Sequence, residues 1–238
     1  MKLPKLTEKE TRKRAELTRA PRPRLAATIV LYSGANKDPR ILMGRRSPRN
    51  DFMPSVYVFP GGRVDRADSY APFTGDLSPR TENILEAAFS PRKARALALS
   101  AIRETWEETD LMLGRSGRWT KNINHPSWDA FRSAGILPDL TGIEVFGRAV
   151  TPPHRHKRYD TWFFAQRIDD SPNPVTDSQE LSNVGWYSFE EIESLELQRA
   201  TVMMLSVFKE YLRRPVPEPR IFHSYMRHRR YVQDKFPR

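Results

Sequence analysis

The chain has 238 residues, with 40 Lys and Arg against 29 Asp and Glu, a formal net charge of +11 at pH 7 and no cysteine. The length suits one domain with insertions or two small domains, and a hydrophobic content of 38% is typical of a folded chain. No apolar run approaches the roughly 20 residues that cross a bilayer, no secretory signal is recognisable, and disulfides and thiolate metal sites are excluded, so a cytoplasmic protein is predicted.

The positive charge is concentrated at the two ends. Residues 1–25 hold nine Lys or Arg against three Glu, and residues 213–238 hold eight against two acids. The body between them has 23 basic and 24 acidic residues and is nearly neutral. We therefore predict a basic tail over 1–24 and a Pro-rich, basic tail over 214–238. Solvated tails are favoured, and arms that bind nucleic-acid phosphates are the alternative.

Three strands are predicted in the first quarter of the chain. Each is rich in β-branched or apolar residues and is bounded by turn formers, and the third ends at Pro60-Gly61-Gly62. The strands cover residues 25–32, 41–46 and 55–62. Residues 63–90 contain scattered Pro, Gly, Asp and Ser and are predicted to be an irregular insertion.

A long helix is predicted from Ser90-Pro91 through the segment ARALALSAIRETWEET, because Ser suits the N-cap and Pro the first helical position. A second polar insertion follows at 112–142, with a short helix from Ser127. Three further strands are predicted at residues 143–152, 160–167 and 183–188. A C-terminal helix is predicted over about 197–213. This order predicts an α+β domain with a mixed sheet and helices packed against it.

The segment RETWEET, residues 103–109, places three glutamates on one helix face. Residues three and four apart share a face of an α-helix, so Glu104, Glu107 and Glu108 converge on one patch. The helix is basic at its start and acidic at its end, which is opposite to what the macrodipole favours. The patch is either a solvated acidic face or a site for Mg²⁺ or Mn²⁺, which prefer carboxylate oxygens.

The segment from Arg103 to Leu111 resembles the second half of the Nudix box, whose pattern is REUxEExGU with U apolar. The segment FPGG, residues 59–62, resembles the glycine-rich start of that box and also follows a predicted strand. The resemblance covers roughly residues 25–208. It implies a Nudix α/β/α sandwich with a mixed sheet, two insertions and a C-terminal helix, and we predict this domain over 25–213.

Three features depart from the usual box. Gly62 and Arg103 are 41 positions apart, whereas a dozen or so residues are usual, so an insertion lies inside the box. Arg95 stands at the place of the upstream glutamate of the box. Asp110 replaces the glycine that ends the helix, and Asp tolerates the left-handed backbone of such an end.

A similar insertion occurs in the coenzyme A diphosphatase-like branch of the superfamily. The pattern of that branch, LLTxR[SA]x3Rx3Gx3FPGG, is matched at Leu42, Arg46, Ser47 and the FPGG segment. Asp51 stands at the place of its second arginine. CoA or acyl-CoA is therefore one candidate substrate. The alternatives are a nucleoside diphosphate derivative, a capped RNA end, and a non-catalytic Nudix-like binding module.

The resemblance implies a hydrolase that cleaves a small-molecule diphosphate with the help of one to three Mg²⁺ or Mn²⁺ ions. The carboxylates that would hold the ions are those of Glu104, Glu107 and Glu108. Arg103 would orient these carboxylates, and Glu180 is the candidate for a further ligand or for the general base. The candidates for contacts with substrate phosphates are Arg46, Gly61, Gly62 and Arg63. The basic loop at 154–158 is either solvated or binds a second phosphate.

Overall fold

The computed structural model describes residues 21–48, 54–168, 175–214, 218–228 and 230–237. The strands in these ranges are β1 (Arg24–Ser33), β2 (Arg40–Arg46), β3 (Tyr57–Val58), β4 (Gly61–Arg63), β5 (Gly114–Ser116), β6 (Ile136–Pro138), β7 (Glu144–Val150), β8 (Tyr159–Arg167), β9 (Leu181–Tyr187), β10 (Ile221–Arg227) and β11 (Arg230–Phe236). The α-helices are α1 (Pro79–Glu86), α2 (Pro91–Thr109), α3 (Pro126–Ser133), α4 (Phe189–Glu193) and α5 (Arg199–Arg213).

One mixed sheet organises the described part of the chain. Its strand order is β11-β10-β7-β8-β1-β2-β3, with β4 paired to β1 and β9 paired to β2. β1 runs parallel to β8, whereas β7 and β8 are antiparallel. Successive side chains of a strand point to opposite faces. Ile29 and Leu31 accordingly join one core cluster and Val30 joins a second one, so both faces of the sheet are buried.

Helices cover the two faces of the sheet. On α2, Leu97, Ala98 and Ala101 are fully buried in the first core cluster. On α5, Met204 and Phe208 are fully buried in the second. The predicted α+β class, with a mixed sheet in an α/β/α sandwich, is therefore confirmed. Within the described residues, no helix is long and apolar enough to cross a membrane.

Both insertions contain more regular structure than the sequence predicts. The first one holds α1, whose N-cap Ser78 accepts a hydrogen bond from the Thr81 N–H at 3.2 Å. Ser78-Pro79 is the same start signal as Ser90-Pro91, so this helix could have been predicted. The second insertion holds α3, which starts one residue before the predicted Ser127, and the antiparallel pair of β5 and β6 on either side of it.

The C-terminal segment is not the solvated tail that the sequence predicts. Its described residues form the hairpin of β10 and β11, and β10 extends the sheet by pairing with β7. Phe236 packs on Trp162 with ring centroids 5.4 Å apart, and the Arg148 guanidinium lies over both rings. The prediction of a solvated tail considered only the charge of this segment. Its aromatic residue Phe236 packs against Trp162 of the sheet. Residues 1–20 of the predicted N-terminal tail lie outside the described residues.

We expect Phe236→Ala to lower the free energy of unfolding by about 2 kcal/mol, because it removes a partly buried ring and an aromatic pair. Urea denaturation followed by tryptophan fluorescence measures the change. Tyr231→Ala on the same strand is the matched control, since 55% of Tyr231 is exposed, and it should cost about 0.5 kcal/mol. Equal stability of the wild type and Phe236→Ala would contradict docking of the hairpin.

A candidate metal and phosphate site

A cavity of about 560 Å³ lies where the glycine turn at the start of β4 meets the last turns of α2. Every residue predicted for the site lines this cavity: Arg46, Gly61, Gly62, Arg63, Arg103, Glu104, Glu107, Glu108 and Glu180. They come from β2, β4, α2 and the segment before β9. The sheet topology thus brings together residues that are far apart in the sequence.

Arg103 is the centre of a hydrogen-bond network and is only 3% exposed. Its Nε donates to Oδ1 of Asp68 at 2.8 Å, and its Nη1 donates to Oε1 of Glu104 at 2.8 Å and to Oε1 of Glu107 at 3.1 Å. Its Nη2 donates to the carbonyl oxygen of Arg63 at 2.8 Å. A buried guanidinium is costly unless its donors are used. Here the donors bind three carboxylates and tie β4 to α2.

The two glycines of the turn make room for the glutamates. A Cβ on Gly62 would lie 2.4 Å from the Glu104 carboxyl carbon, so only glycine leaves space for that side chain. Gly61 has φ 153°, a backbone conformation that favours glycine. Its N–H donates to Oε2 of the buried Glu108 at 2.9 Å. The turn therefore leaves room for the carboxylate of Glu104, and its Gly61 N–H already donates to the carboxylate of Glu108.

Burial and mutual repulsion destabilise the ionised forms of these carboxylates. Burial raises the pKa of Glu104 to about 7, the charge of Arg103 opposes this shift, and the charges of Glu107 and Glu180 add to it. Burial also raises the pKa of Glu108, and the charge of Glu104 raises it further. The cavity thus holds more negative charge than Arg103 offsets. A divalent cation would stabilise the ionised forms.

The donor set fits Mg²⁺ or Mn²⁺ in its chemistry, since carboxylate oxygens are the ligands that these ions prefer. Within the described ranges, no three acidic or histidine side chains already surround one point as a coordination sphere. The hydrogen bonds explain this, because Arg103 holds Glu104 and Glu107 while Glu108 faces the Gly61 N–H. An ion in the cavity therefore has to compete with Arg103 for carboxylate oxygens.

The remaining predicted residues differ in what they present to the cavity. The buried Nε of Arg46 has no hydrogen-bond partner among the residues that the structure describes, and its charge lowers the pKa of Glu108. An unused buried donor of this kind suits an anionic ligand. Arg63 is exposed, and its carbonyl oxygen binds the Arg103 side chain. The basic loop at 154–158 does not line the cavity. Asp51 lies outside the described residues.

Asp68, in the first insertion, is a site residue that the sequence analysis missed. The carboxylate is fully buried and accepts hydrogen bonds from Nε and Nη2 of Arg103 at 2.8 and 3.1 Å. The indole Nε1 of Trp128 at 3.2 Å and the Asp65 N–H at 2.8 Å are further donors. Four donors suit an ionised carboxylate, so Asp68 is the acid that balances Arg103 from the side away from the glutamates.

The position assigned to the upstream glutamate of the box also needs correction. Arg95 does not line the cavity, and its guanidinium lies over the ring of Phe73. Counting back from Arg103 leads to Arg95 because the count crosses the insertion. Asp68, which lies between Gly62 and α2, is instead the further acid that binds Arg103.

The second insertion reaches the same network through the start of α3. The hydroxyl of Ser127 donates to Oε1 of Glu107, and Trp128 donates to Asp68. Trp128 and Phe131 are fully buried and anchor the helix. The sequence offers no signal for these contacts, since the insertion is polar and lies outside the box.

Comparison with known proteins places the chain in a family. Residues 19–211 match the family model described as the NUDT19 Nudix domain. The chain belongs to the Nudix hydrolase superfamily, in its coenzyme A diphosphatase-like branch. A crystal structure of a Nudix hydrolase from Alicyclobacillus acidocaldarius matches with a TM-score of 0.63 at 28% identity, covering 80% of this chain and 92% of that one.

Two curated relatives show similarity at lower coverage. The acyl-coenzyme A diphosphatase NUDT19 of Gallus gallus is 26% identical over an alignment 229 residues long, and the match covers 69% of this chain and 61% of that protein. A Caenorhabditis elegans protein named as a nudix hydrolase is 26% identical over an alignment 175 residues long, and the match covers 68% of this chain and 50% of that protein. The chain thus spans between half and about three fifths of the length of these relatives.

We expect Asp68→Asn to lower the free energy of unfolding by about 3 kcal/mol, because the amide group would face the donors of Arg103 and leave a buried charge unbalanced. Urea denaturation measures the change. Asp129→Asn is the matched control, since it removes the exposed pair with Arg132, for which about 0.5 kcal/mol is expected. Similar losses in the two variants would contradict the role given to Asp68.

Proposed function

We propose that the chain is a divalent-metal-dependent hydrolase that cleaves a diphosphate linkage, with CoA or acyl-CoA as its substrate class. One observation carries the proposal: the cavity combines a cluster of glutamates with the unpartnered Nε of Arg46. A diphosphate bound with its cation needs both kinds of group. The volume of about 560 Å³ is within the range of small-molecule sites.

Within this proposal the glutamates hold Mg²⁺ or Mn²⁺ and Arg103 positions them. The bound ion neutralises the charge of the diphosphate and polarises its P–O bonds. Glu104, Glu107 and Glu108 provide the carboxylate oxygens. Glu180, which lines the cavity from the segment before β9, is the candidate for a fourth ligand or for the base that takes a proton from the attacking water.

Arg46 binds and orients the diphosphate in this proposal. Guanidinium groups bind phosphate oxygens through planar, paired donors, and the unused Nε leaves such a donor free for the ligand. Two further observations support CoA or acyl-CoA as the substrate class. The chain matches part of the CoA-associated pattern at Leu42, Arg46 and Ser47. The relative from Gallus gallus carries the name acyl-coenzyme A diphosphatase.

A substrate panel tests the activity: CoA, acyl-CoA, NADH, ADP-ribose and dinucleoside polyphosphates, each with Mg²⁺ or Mn²⁺. We expect metal-dependent turnover, highest on CoA or acyl-CoA. Glu107→Gln and Glu108→Gln should lose more than the roughly 10- to 100-fold that loss of an outer-shell partner causes. Glu86→Gln, at an exposed position outside the cavity, is the control.

The outcomes of this panel separate the alternatives. Turnover without a metal, or turnover that neither Glu107→Gln nor Glu108→Gln lowers, would contradict the metal-site proposal. Binding of the substrates without turnover would favour a Nudix-like binding module. A preference for ADP-ribose, NADH or dinucleoside polyphosphates would keep the reaction and replace CoA as the substrate class.

The substitution Gly62→Ala tests whether Gly62 makes the room that the Glu104 carboxylate occupies. We expect Gly62→Ala to fold, because the added methyl group meets the movable end of Glu104 and not the backbone. Displacement of that carboxylate should weaken Mn²⁺ binding about tenfold, measured by electron paramagnetic resonance of free Mn²⁺. Gly185→Ala is the matched control, because its Cβ would make only ordinary contacts with Tyr187 at 3.5 Å or more. Unchanged Mn²⁺ affinity in Gly62→Ala would contradict a role for Glu104, in its position beside Gly62, in binding the ion.

A further inference from the structure

His125, from the second insertion, lines the same cavity as the glutamates. It is the N-cap of α3, and Pro126 follows it at the first helical position. Its Nδ1 accepts a hydrogen bond from the Ser127 N–H at 3.3 Å. This bond satisfies one of the N–H groups that the first turn of a helix leaves without an intrahelical partner. The imidazole ring is thus fixed to the start of a helix that is anchored in the core.

The cap also determines which ring nitrogen carries the proton. In a neutral imidazole, one nitrogen donates and the other accepts. Because Nδ1 accepts from the Ser127 N–H, the proton is on Nε2, and Nε2 is a hydrogen-bond donor. A ring in this state has no free acceptor with which to take a proton from water. The cap therefore favours a binding role for His125 over a role as general base.

The Nε2–H group is left for a ligand. No hydrogen bond of this atom is formed within the part of the chain that the structure describes. The ring lines the cavity that the glutamates also line, and Ser127, two residues on, binds Glu107. A bound diphosphate presents several oxygens, and the glutamates and Arg46 account for its cation and for part of its charge. A fixed neutral donor at the rim of such a ligand suits a phosphate oxygen.

We propose that His125 is a substrate-binding residue whose Nε2–H donates to a phosphate oxygen of the diphosphate. The inference rests on the proposed function, and it assigns a binding group to an insertion that the Nudix box does not include. The second insertion then does two things: Ser127 fixes Glu107 from outside the cavity, and His125 contacts the ligand inside it.

Two substitutions separate the donor of His125 from its cap. In His125→Asn, the Oδ1 atom can replace Nδ1 as the cap acceptor, since Asn is among the best N-cap residues, but the side chain is too short to replace Nε2. In His125→Gln, the amide nitrogen can reach the place of Nε2, while the cap is weakened. The probe is methylenediphosphonate, a diphosphate analogue that resists hydrolysis, titrated calorimetrically with Mg²⁺ present.

We expect His125→Asn to weaken binding of the probe about tenfold, which is the effect of one hydrogen bond to a charged group. Its thermal unfolding midpoint and its affinity for Mn²⁺ alone should match those of the wild type. His125→Gln should bind the probe within about threefold of the wild type, even with a lower unfolding midpoint.

Three outcomes would overturn the inference. His125→Asn could bind the probe as the wild type does, both variants could be weakened equally, or His125→Asn could lose Mn²⁺ binding, which would make His125 a metal ligand. Failure of the proposed function is distinguishable from these. In that case the wild type itself would neither bind methylenediphosphonate with Mg²⁺ nor hydrolyse any substrate of the panel, and the inference would fall with it.

Discussion

The buried guanidinium of Arg103 is the interaction on which the rest of the site depends. Three glutamates within five residues repel one another, and burial increases the cost of their charges. Arg103 offsets part of this cost by binding Glu104 and Glu107 through one nitrogen, while its other donors bind Asp68 and the Arg63 carbonyl oxygen. The same bonds hold the carboxylates away from a common point. The cluster remains short of positive charge, so a divalent cation that bound there would exchange partners with Arg103.

The two insertions are parts of this site and not additions at its edge. The first supplies Asp68, whose carboxylate accepts hydrogen bonds from Nε and Nη2 of Arg103. The second supplies Ser127, which binds Glu107, and Trp128, which binds Asp68. A box whose glycine and arginine are 41 positions apart can therefore keep its geometry. The chain leaves the network after Asp68 and returns to it at Arg103, in the later part of α2. This explains how an interrupted motif still forms one cavity.

The features that sequence patterns predicted well are those that local physics decides. The start of α2 follows from the Ser90-Pro91 signal, and the left-handed Asp110 at the end of α2 follows from its place in the box. The convergence of Glu104, Glu107 and Glu108 follows from their spacing alone. Their partners did not follow, because Asp68, Ser127 and Trp128 come from segments whose position depends on tertiary packing. Charge counting failed for the C-terminal hairpin, where Phe236 and its contact with Trp162 decide the structure.

We propose that the glutamate cluster binds a divalent cation. Crystals soaked in Mn²⁺, with anomalous diffraction data collected near the manganese edge, test it most directly. We expect an anomalous peak in the cavity, about 2.1 Å from oxygens of at least two of Glu104, Glu107 and Glu108, with Arg103 still bonded to Asp68. No peak in the cavity at Mn²⁺ concentrations that support turnover, or a peak bound only by residues outside this cluster, would contradict it.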